Sequence, residues 1–225
     1  MHHKQFMRGI KVTTVTGWSP QINKGDSMSS TQRYTKVAII LHWLIALAIF
    51  FMIGLGWYMT DLPKEGPKQI AFDLFDWGLY TWQLSEPGSP RMFYFNLHKS
   101  VGLTLFALVL FRLYWRITHK PPVMLSSYRV WERKLATGTH HLFYLLIIAI
   151  PLTGLLMSLS SKFGINWFGL HVLDGVDDKA MRHTYEELHE FGANLLVVLL
   201  IVHVLGALKH KFIDKDETMS RMSLK

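Results

Sequence analysis

The sequence predicts an all-α protein: a four-helix transmembrane bundle with both termini in the cytoplasm. Half of the 225 residues are hydrophobic and only 18% are charged, whereas charged residues make up about 25% of ordinary soluble domains. The apolar residues are concentrated in four long runs, and the positive charges flank these runs asymmetrically. Four such runs in a chain of this length exclude a soluble binding module.

Three of the runs contain no Asp, Glu, Lys or Arg: residues 37–60, 135–161 and 191–208. At a rise of about 1.5 Å per helical residue, each can cross a hydrocarbon core of about 30 Å. The remaining run, residues 92–117, contains Arg112 and Arg116 near one end, where long side chains can reach the lipid headgroups. We therefore expect a four-helix membrane domain over residues 36–225, preceded by a polar extension over residues 1–35.

The charges between the runs predict the orientation of the bundle. Residues 1–36, 112–134 and 209–225 contain 17 Lys and Arg but only five Asp and Glu, while the rest of the chain contains seven Lys and Arg and eleven Asp and Glu. Cytoplasmic segments of membrane proteins carry an excess of Lys and Arg, so the acidic loops near 61–91 and 162–186 are expected outside. The net charge of +8 then reflects topology, and we expect no nucleic-acid partner.

Histidines within the predicted helices are the candidate cofactor ligands. His42 lies early in the first helix, His98 early in the second, and His189 and His203 both lie in the fourth. The last two are 14 residues apart, close to four helical turns, so they project from nearly the same face about 21 Å apart along the axis. Because the helices cross in alternating directions, His98 matches His189 in depth, and His42 matches His203.

Two imidazoles from facing helices at one depth suit an iron porphyrin, whose ring supplies the other four ligands. Zinc or copper requires three or four protein ligands close together, and the absence of cysteine excludes thiolate sites and iron–sulfur clusters. An alternative is a membrane transporter or metal-binding protein in which the same histidines bind ions or relay protons. The lack of Asp and Glu inside the runs disfavours that alternative.

The chain resembles the bacterial cytochrome b561 family of small four-helix, dihaem membrane cytochromes over residues 28–225. The resemblance is carried by short motifs in a fixed order: Leu41-His42-Trp43; His98 with Gly102, Arg112 and Arg116; His140 and the stretch from Tyr144 to Pro151; Asn166-Trp167-Phe168; His189-Glu190; Ala193-Asn194; His203; Ala207-Leu208; His210; Lys215-Asp216; and Arg221-Met222.

The resemblance implies two b-type haems whose axial ligands are His42, His98, His189 and His203, the four histidines that depth also selects. It implies a multi-pass protein of the bacterial inner membrane, in contact with membrane lipid. Some members resemble superoxide oxidases, which pass electrons from superoxide at the outer face to ubiquinone near the cytoplasmic face. We therefore expect a superoxide:ubiquinone oxidoreductase.

Three basic residues of the outer side, Lys99, Lys179 and Arg182, provide local positive charge that would attract superoxide. For the cytoplasmic quinone the first candidate is His210, which directly follows the fourth apolar run and Lys209.

Further cofactor contacts are expected at the cytoplasmic level. Arg112 and Arg116 are candidates for pairing with haem propionates or lipid phosphates, because guanidinium groups bind such oxyanions in bidentate fashion. His140 or His141 is expected to contact quinone or a propionate.

A second redox function is left open by the acidic outer loops. These loops are long enough to dock a separate periplasmic redox protein or dehydrogenase. The chain would then be the cytochrome b subunit that links this partner to the quinone pool.

Overall fold

The structure, a computed structural model, describes residues 33–125 and 128–224. It contains four long helices: α1 (Lys36–Asp61), α2 (Pro90–Thr118), α3 (Val130–Leu159) and α4 (Lys179–Lys209). All four are long and apolar enough to cross a membrane, which confirms the predicted four-helix transmembrane architecture. The predicted polar extension, residues 1–35, lies outside the described residues apart from its last three.

Helix α4 begins twelve residues before the apolar run that predicted it, because its polar first turns are stabilised locally. The Asp178 carboxylate accepts hydrogen bonds from the Ala180 and Met181 N–H groups, each at 3.0 Å, and so caps the helix. Arg182 forms an ion pair with Glu186 one turn later, at 3.9 Å. Helix α4 therefore extends beyond the span itself at this end.

Contacts between histidines and glycines fix the directions of the helices. His42, early in α1, lies beside His203, late in α4, so these helices are antiparallel. His98, early in α2, lies beside His189, early in α4, so these are parallel. Gly154, late in α3, also lies against His189. We call the end where α1 begins and α4 ends the terminal end, and the opposite end the hairpin end.

Apolar side chains from all four helices fill the middle of the bundle, between the two levels of histidines. The cluster consists of seven buried residues: Ile45, Ile49, Leu105, Val109, Leu146, Leu196 and Leu199. Large apolar side chains such as Leu47 and Phe191 are exposed on the outside of the bundle, where a membrane places lipid. Close packing in the cluster holds the helices at the spacing that the histidines require.

Two short β-hairpins occupy the loops of the hairpin end, for which the sequence predicted acidic loops and no strands were assigned. Strand β1 (Gln69–Asp73) pairs with β2 (Thr81–Gly88), and β3 (Ile165–Trp167) pairs with β4 (Leu170–Leu173), both antiparallel. The second hairpin turns at Phe168 and Gly169, which both have positive φ, as a two-residue hairpin turn requires.

Aromatic side chains attach these hairpins to the helices. Phe72 of β1 stacks on Phe93 of α2 with ring centres 4.7 Å apart, and Trp82 of β2 stacks on Phe168 at 6.1 Å. The Phe168 N–H also donates a hydrogen bond to Ser100 Oγ of α2 at 2.9 Å. The hairpins thereby cover the hairpin end of the bundle close to His98.

At the terminal end, α4 continues into a π-helical turn (His210–Asp214) and a carboxyl-terminal segment, residues 215–224. Lys215 adopts a left-handed conformation, with φ of 52°, which reverses the chain direction after the turn. The segment then runs back across the terminal end, where Arg221 donates a hydrogen bond to the Val123 carbonyl of the α2–α3 loop.

Candidate functional site

The two histidines at the hairpin end face each other across α2 and α4. The ring centres of His98 and His189 are 6.2 Å apart, and the ring planes are inclined by 74°. Two iron–nitrogen bonds of about 2 Å each, together with the two ring radii, place the ring centres of axial imidazoles a little over 6 Å apart. The spacing of this pair therefore fits the two axial ligands of one haem.

The His189 ring is held in one orientation by α3. Its Nδ1 lies 2.8 Å from the Ile150 carbonyl and 3.4 Å from Thr153 Oγ1. A ring N–H at Nδ1 satisfies the carbonyl, and this leaves Nε2 free for a metal, which is the usual arrangement of metal-binding histidines. Gly154 makes room for the ring, since a Cβ at this position would lie 3.0 Å from His189 Cε1.

His98 carries an orphaned polar atom. Its Nδ1 is buried and has no hydrogen-bond partner within residues 33–125 and 128–224, although buried polar atoms are nearly always satisfied. A buried, unpaired ring nitrogen is therefore unusual for a histidine with a purely packing role.

A second group of histidines lies at the terminal end. The ring centres of His42 and His203 are 6.3 Å apart, with planes inclined by 67°. His140 of α3 approaches His203 equally closely, at 6.1 Å. The structure therefore brings together the predicted pair and His140, which the sequence analysis named only as a contact of quinone or propionate.

Arg112 lies among these rings. Its Nη2 is 3.3 Å from His42 Nδ1, and its Nη1 is buried without a hydrogen-bond partner in the described part of the chain. Arg116, one turn later in α2, is close enough for its charge to act on His140. The Arg112 guanidinium thus has one nitrogen in contact with an imidazole and one without a partner in the described residues. Such a group can donate hydrogen bonds to an oxyanion, such as the propionate of a haem.

The donor set at both levels fits haem and does not fit zinc. The hairpin-end pair supplies two neutral nitrogen donors, whereas a structural zinc site requires four ligands and a catalytic site three. The described residues contain one cluster of three side chains close enough to share an ion, formed by His210, Asp214 and Asp216. The ammonium of Lys209 lies 2.6 Å from Asp214 Oδ2. Its positive charge already balances negative charge in this cluster, which therefore does not require a metal ion.

His210 is surrounded by polar partners at the end of α4. Its Nδ1 lies 2.7 Å from Asp216 Oδ2 and 3.2 Å from Asp214 Oδ2. Tyr128 stacks on the imidazole with ring centres 4.8 Å apart. Sequence reasoning identified His210 but assigned no role to Asp216 or Tyr128. The signals available from the sequence were the six-residue spacing between His210 and Asp216 and the place of Lys215-Asp216 among the motifs of the resemblance.

The surroundings of Asp216 and Tyr128, two side chains in contact with His210, shift their pKa values. Burial alone would raise the pKa of Asp216, but hydrogen bonds from the hydroxyl and N–H of Thr218, and then from His210, outweigh it and lower this pKa below its usual value. Burial raises the pKa of the Tyr128 hydroxyl above its usual value. Asp216 is therefore held as a carboxylate and Tyr128 as a neutral phenol.

The predicted superoxide-attracting residues are only partly brought together. Lys99, in α2 next to His98, is close enough to Arg182 of α4 for their charges to repel. Lys179 is exposed at the first position of α4, one turn before Arg182. Glu186 partly neutralises Arg182.

Comparison with known proteins identifies the family to which the chain belongs. The sequence pattern of the family described as prokaryotic cytochrome b561 matches residues 33–224. "Cytochrome b561 homolog 2" of Escherichia coli (strain K12) is 32% identical over 196 residues, which cover 86% of this chain and 93% of the relative. "Probable superoxide oxidase CybB" of Yersinia pestis is 23% identical over 194 residues, covering 85% and 96%. The chain belongs to the prokaryotic cytochrome b561 family, and is thus a multi-pass bacterial inner-membrane protein that transfers electrons with b-type haem.

Proposed function

We propose that this protein oxidises superoxide at the outer face of the inner membrane and transfers the electrons to ubiquinone, using two b-type haems. The observation that carries the proposal is the presence of two histidine pairs at two depths, with ring centres 6.2 Å and 6.3 Å apart. Each haem, when bound, would supply one-electron transfer. We place both termini in the cytoplasm, since the terminal end carries most Lys and Arg.

His98 and His189 would hold one haem at the hairpin end, and His42 and His203 would hold the other at the terminal end. The hydrogen bond from His189 Nδ1 to the Ile150 carbonyl fixes Nε2 as its ligating atom. At the terminal end, Arg112 and Arg116 would pair with the propionates. Where His42 and His140 both approach His203, we assign the ligand role to His42 because its family motif, Leu41-His42-Trp43, is intact.

Superoxide is attracted by the positive charge of Lys99 and Arg182, which lie close together, with Lys179 at the rim. Two superoxide ions each lose one electron and become dioxygen. One ubiquinone gains both electrons and two protons and becomes ubiquinol. No oxygen atom is transferred, so the outer site needs only to attract and release the ion.

Ubiquinone is reduced at the terminal end, where His210 is the proton-donating contact and His140 is a second candidate contact. His210 follows His203 by seven residues, which is nearly two helical turns, so the two histidines lie on nearly the same face of the helix. Protons for ubiquinol are then taken from the cytoplasmic side.

Spectroscopy of the purified protein tests this function. We expect two haems per chain in a pyridine haemochrome assay, and rapid reduction of both by superoxide followed by reoxidation on addition of ubiquinone. His98→Ala should remove one haem and spare the terminal-end haem. Loss of both haems, or of neither, would contradict the assigned pairs.

The hairpin end supports a second candidate, the reduction of the haems by a protein donor. Trp77, Leu79 and Tyr80 are 67%, 80% and 59% exposed at the tip of the β1–β2 hairpin, next to Asp73 and Asp76. Exposed aromatic side chains are enriched at protein interfaces, and the acidic groups beside them would attract a basic partner. Two haems that superoxide does not reduce, but that a basic one-electron carrier protein does, would favour this candidate.

A further inference from the structure

The end of α4 brings a carboxylate back onto His210. The chain leaves α4 through the π-helical turn, and Lys215 reverses it with a positive φ of 52°. The Asp216 N–H then donates to the His210 carbonyl at 3.2 Å, and Asp216 Oδ2 lies 2.7 Å from His210 Nδ1. A π-helical turn and a non-glycine residue in the left-handed region are both uncommon and occur often at functional positions.

The carboxylate itself is held from the other side. Asp216 Oδ1 accepts the Thr218 N–H at 2.9 Å, and Thr218 Oγ1 lies 2.6 Å from the Tyr128 hydroxyl. Tyr128 in turn stacks on His210. These contacts form a closed ring of four residues from the π-helical turn, the α2–α3 loop and the carboxyl-terminal segment.

Asp216, and not Asp214, is the anionic partner of His210. Asp214 also lies 3.2 Å from His210 Nδ1, but its Oδ2 is 2.6 Å from Lys209 Nζ. Lys209 further binds Glu132 of α3 at 2.9 Å. Lys209 therefore pairs with Asp214 and Glu132. The imidazole of His210 lies closer to Asp216 than to Asp214.

We infer that Asp216 is a positioning residue, which holds the His210 ring with Nδ1–H on the carboxylate and Nε2 toward a quinone carbonyl. The hydrogen bonds of the described residues to the His210 ring are all at Nδ1. A carboxylate at Nδ1 fixes the tautomer and stabilises the protonated ring. This inference rests on the proposed contact of His210 with ubiquinone.

The proton transfer follows from this arrangement. When the quinone gains an electron, the Nε2–H bond of protonated His210 breaks and an O–H bond forms on the quinone. The neutral ring keeps its Nδ1–H bond to Asp216 and takes a new proton from solution at Nε2. The second electron is matched by a second proton in the same way, so that one quinol forms from two electrons and two protons.

Stopped-flow reoxidation of the chemically reduced holoprotein by decylubiquinone tests the inference without superoxide. In Asp216→Asn the rate at pH 8 should be about tenfold below that of the wild type and should decline further as the pH rises, because the carboxylate 2.7 Å from His210 Nδ1 is gone. Asp216→Glu should restore most of the profile, since it restores the charge.

Glu217→Gln is the matched control, because it removes the same charge from the neighbouring, exposed residue and should leave the profile unchanged. The other groups around His210, namely Lys209, Asp214, Tyr128 and, through Lys209, Glu132, are intact in all these variants. An unchanged pH profile in Asp216→Asn would overturn the inference.

A nitrogen-15 NMR spectrum of the reduced, histidine-labelled wild type provides a readout independent of turnover. The signal missing in His210→Gln belongs to His210, and in its neutral form it should show a protonated Nδ1 and an unprotonated Nε2. The opposite tautomer would overturn the inference. If His210→Gln is reoxidised by decylubiquinone as fast as the wild type, the proposed quinone contact fails instead, which distinguishes the two failures.

Discussion

Trp43 and Met222 join the first transmembrane helix to the carboxyl-terminal segment: the Trp43 indole N–H donates a hydrogen bond to the Met222 carbonyl at 2.9 Å. Trp43 also packs edge-on against His42, with ring centres 5.4 Å apart. A groove of about 520 Å³ between Trp43, Lys211 and the segment opens at the same place. The segment is therefore fastened beside the terminal-end histidines.

Replacing Trp43 by Phe should loosen this segment. The variant keeps an aromatic ring against His42 but loses a hydrogen bond, whose net contribution is about 1 kcal/mol. We expect faster proteolysis after residue 215 in detergent, with the haem content unchanged. Trp57→Phe on the same helix is the control, since Trp57 is 64% exposed. Equal cleavage of the two variants would show that the hydrogen bond does not hold the segment.

Replacing Arg91 by Met should destabilise the hairpin end. Arg91 Nη1 donates to the carbonyls of Met59, Thr60 and Leu62 at 3.2, 3.0 and 2.6 Å, and so caps the last turn of α1. Unpaired carbonyls cost about 1–3 kcal/mol when partly buried, and the thermal unfolding midpoint should fall accordingly. The exposed Lys64 provides the control variant Lys64→Met. Similar midpoints for both variants would refute the capping role.

Much of this architecture could be predicted from the sequence, because run length and helical periodicity are local properties. The 14-residue spacing of His189 and His203 indicated two levels, and the structure places both predicted pairs at similar separations. The approach of His140 to His203 could not be derived this way, since depth says nothing about which helices are lateral neighbours.

The hairpins and the path of the carboxyl-terminal segment could not be predicted from the sequence either, because they depend on contacts between residues distant in sequence and on unusual backbone conformations. The turn of the β3–β4 hairpin places Phe168 at positive φ, where bulky residues are uncommon, and it is stabilised by contacts with α2 that are distant in sequence. The return of Asp216 to His210 likewise depends on the left-handed Lys215, a residue type that does not signal a reversal.

Variants of the terminal-end histidines should separate His42 from His140. If His42 and His203 bind one haem, His42→Ala should lose that haem, whereas His140→Ala should keep two haems per chain and change only its reaction with quinone. The measurement is haem content by pyridine haemochrome, with the reduced-minus-oxidised spectrum. Loss of haem in His140→Ala and retention in His42→Ala would reverse the assignment.

Acid should weaken the attachment of the carboxyl-terminal segment through Asp216. Its folded-state pKa is lowered, so its stabilising effect is present above the unfolded value of about 3.9 and is lost as pH falls through the folded value. The unfolding midpoint of the wild type should therefore decline toward low pH more steeply than that of Asp216→Asn. Parallel curves for the two proteins would exclude this contribution.

Replacing Gly154 by Ala should disturb the proposed haem binding at the hairpin end without unfolding the bundle. An added Cβ would lie 3.0 Å from Cε1 and 3.2 Å from Nδ1 of His189, so the ring must shift and its hydrogen bond to the Ile150 carbonyl must lengthen. Because that bond orients the ligand, we expect lower haem occupancy at the hairpin end and an altered midpoint potential in a redox titration. Gly138→Ala is the control on the same helix, since a Cβ there meets nothing within 4 Å and should stabilise the helix by up to about 1 kcal/mol. If Gly154→Ala matches Gly138→Ala in haem content and in both potentials, the glycine makes no room for a ligand, and His189 tolerates displacement as a packing residue would.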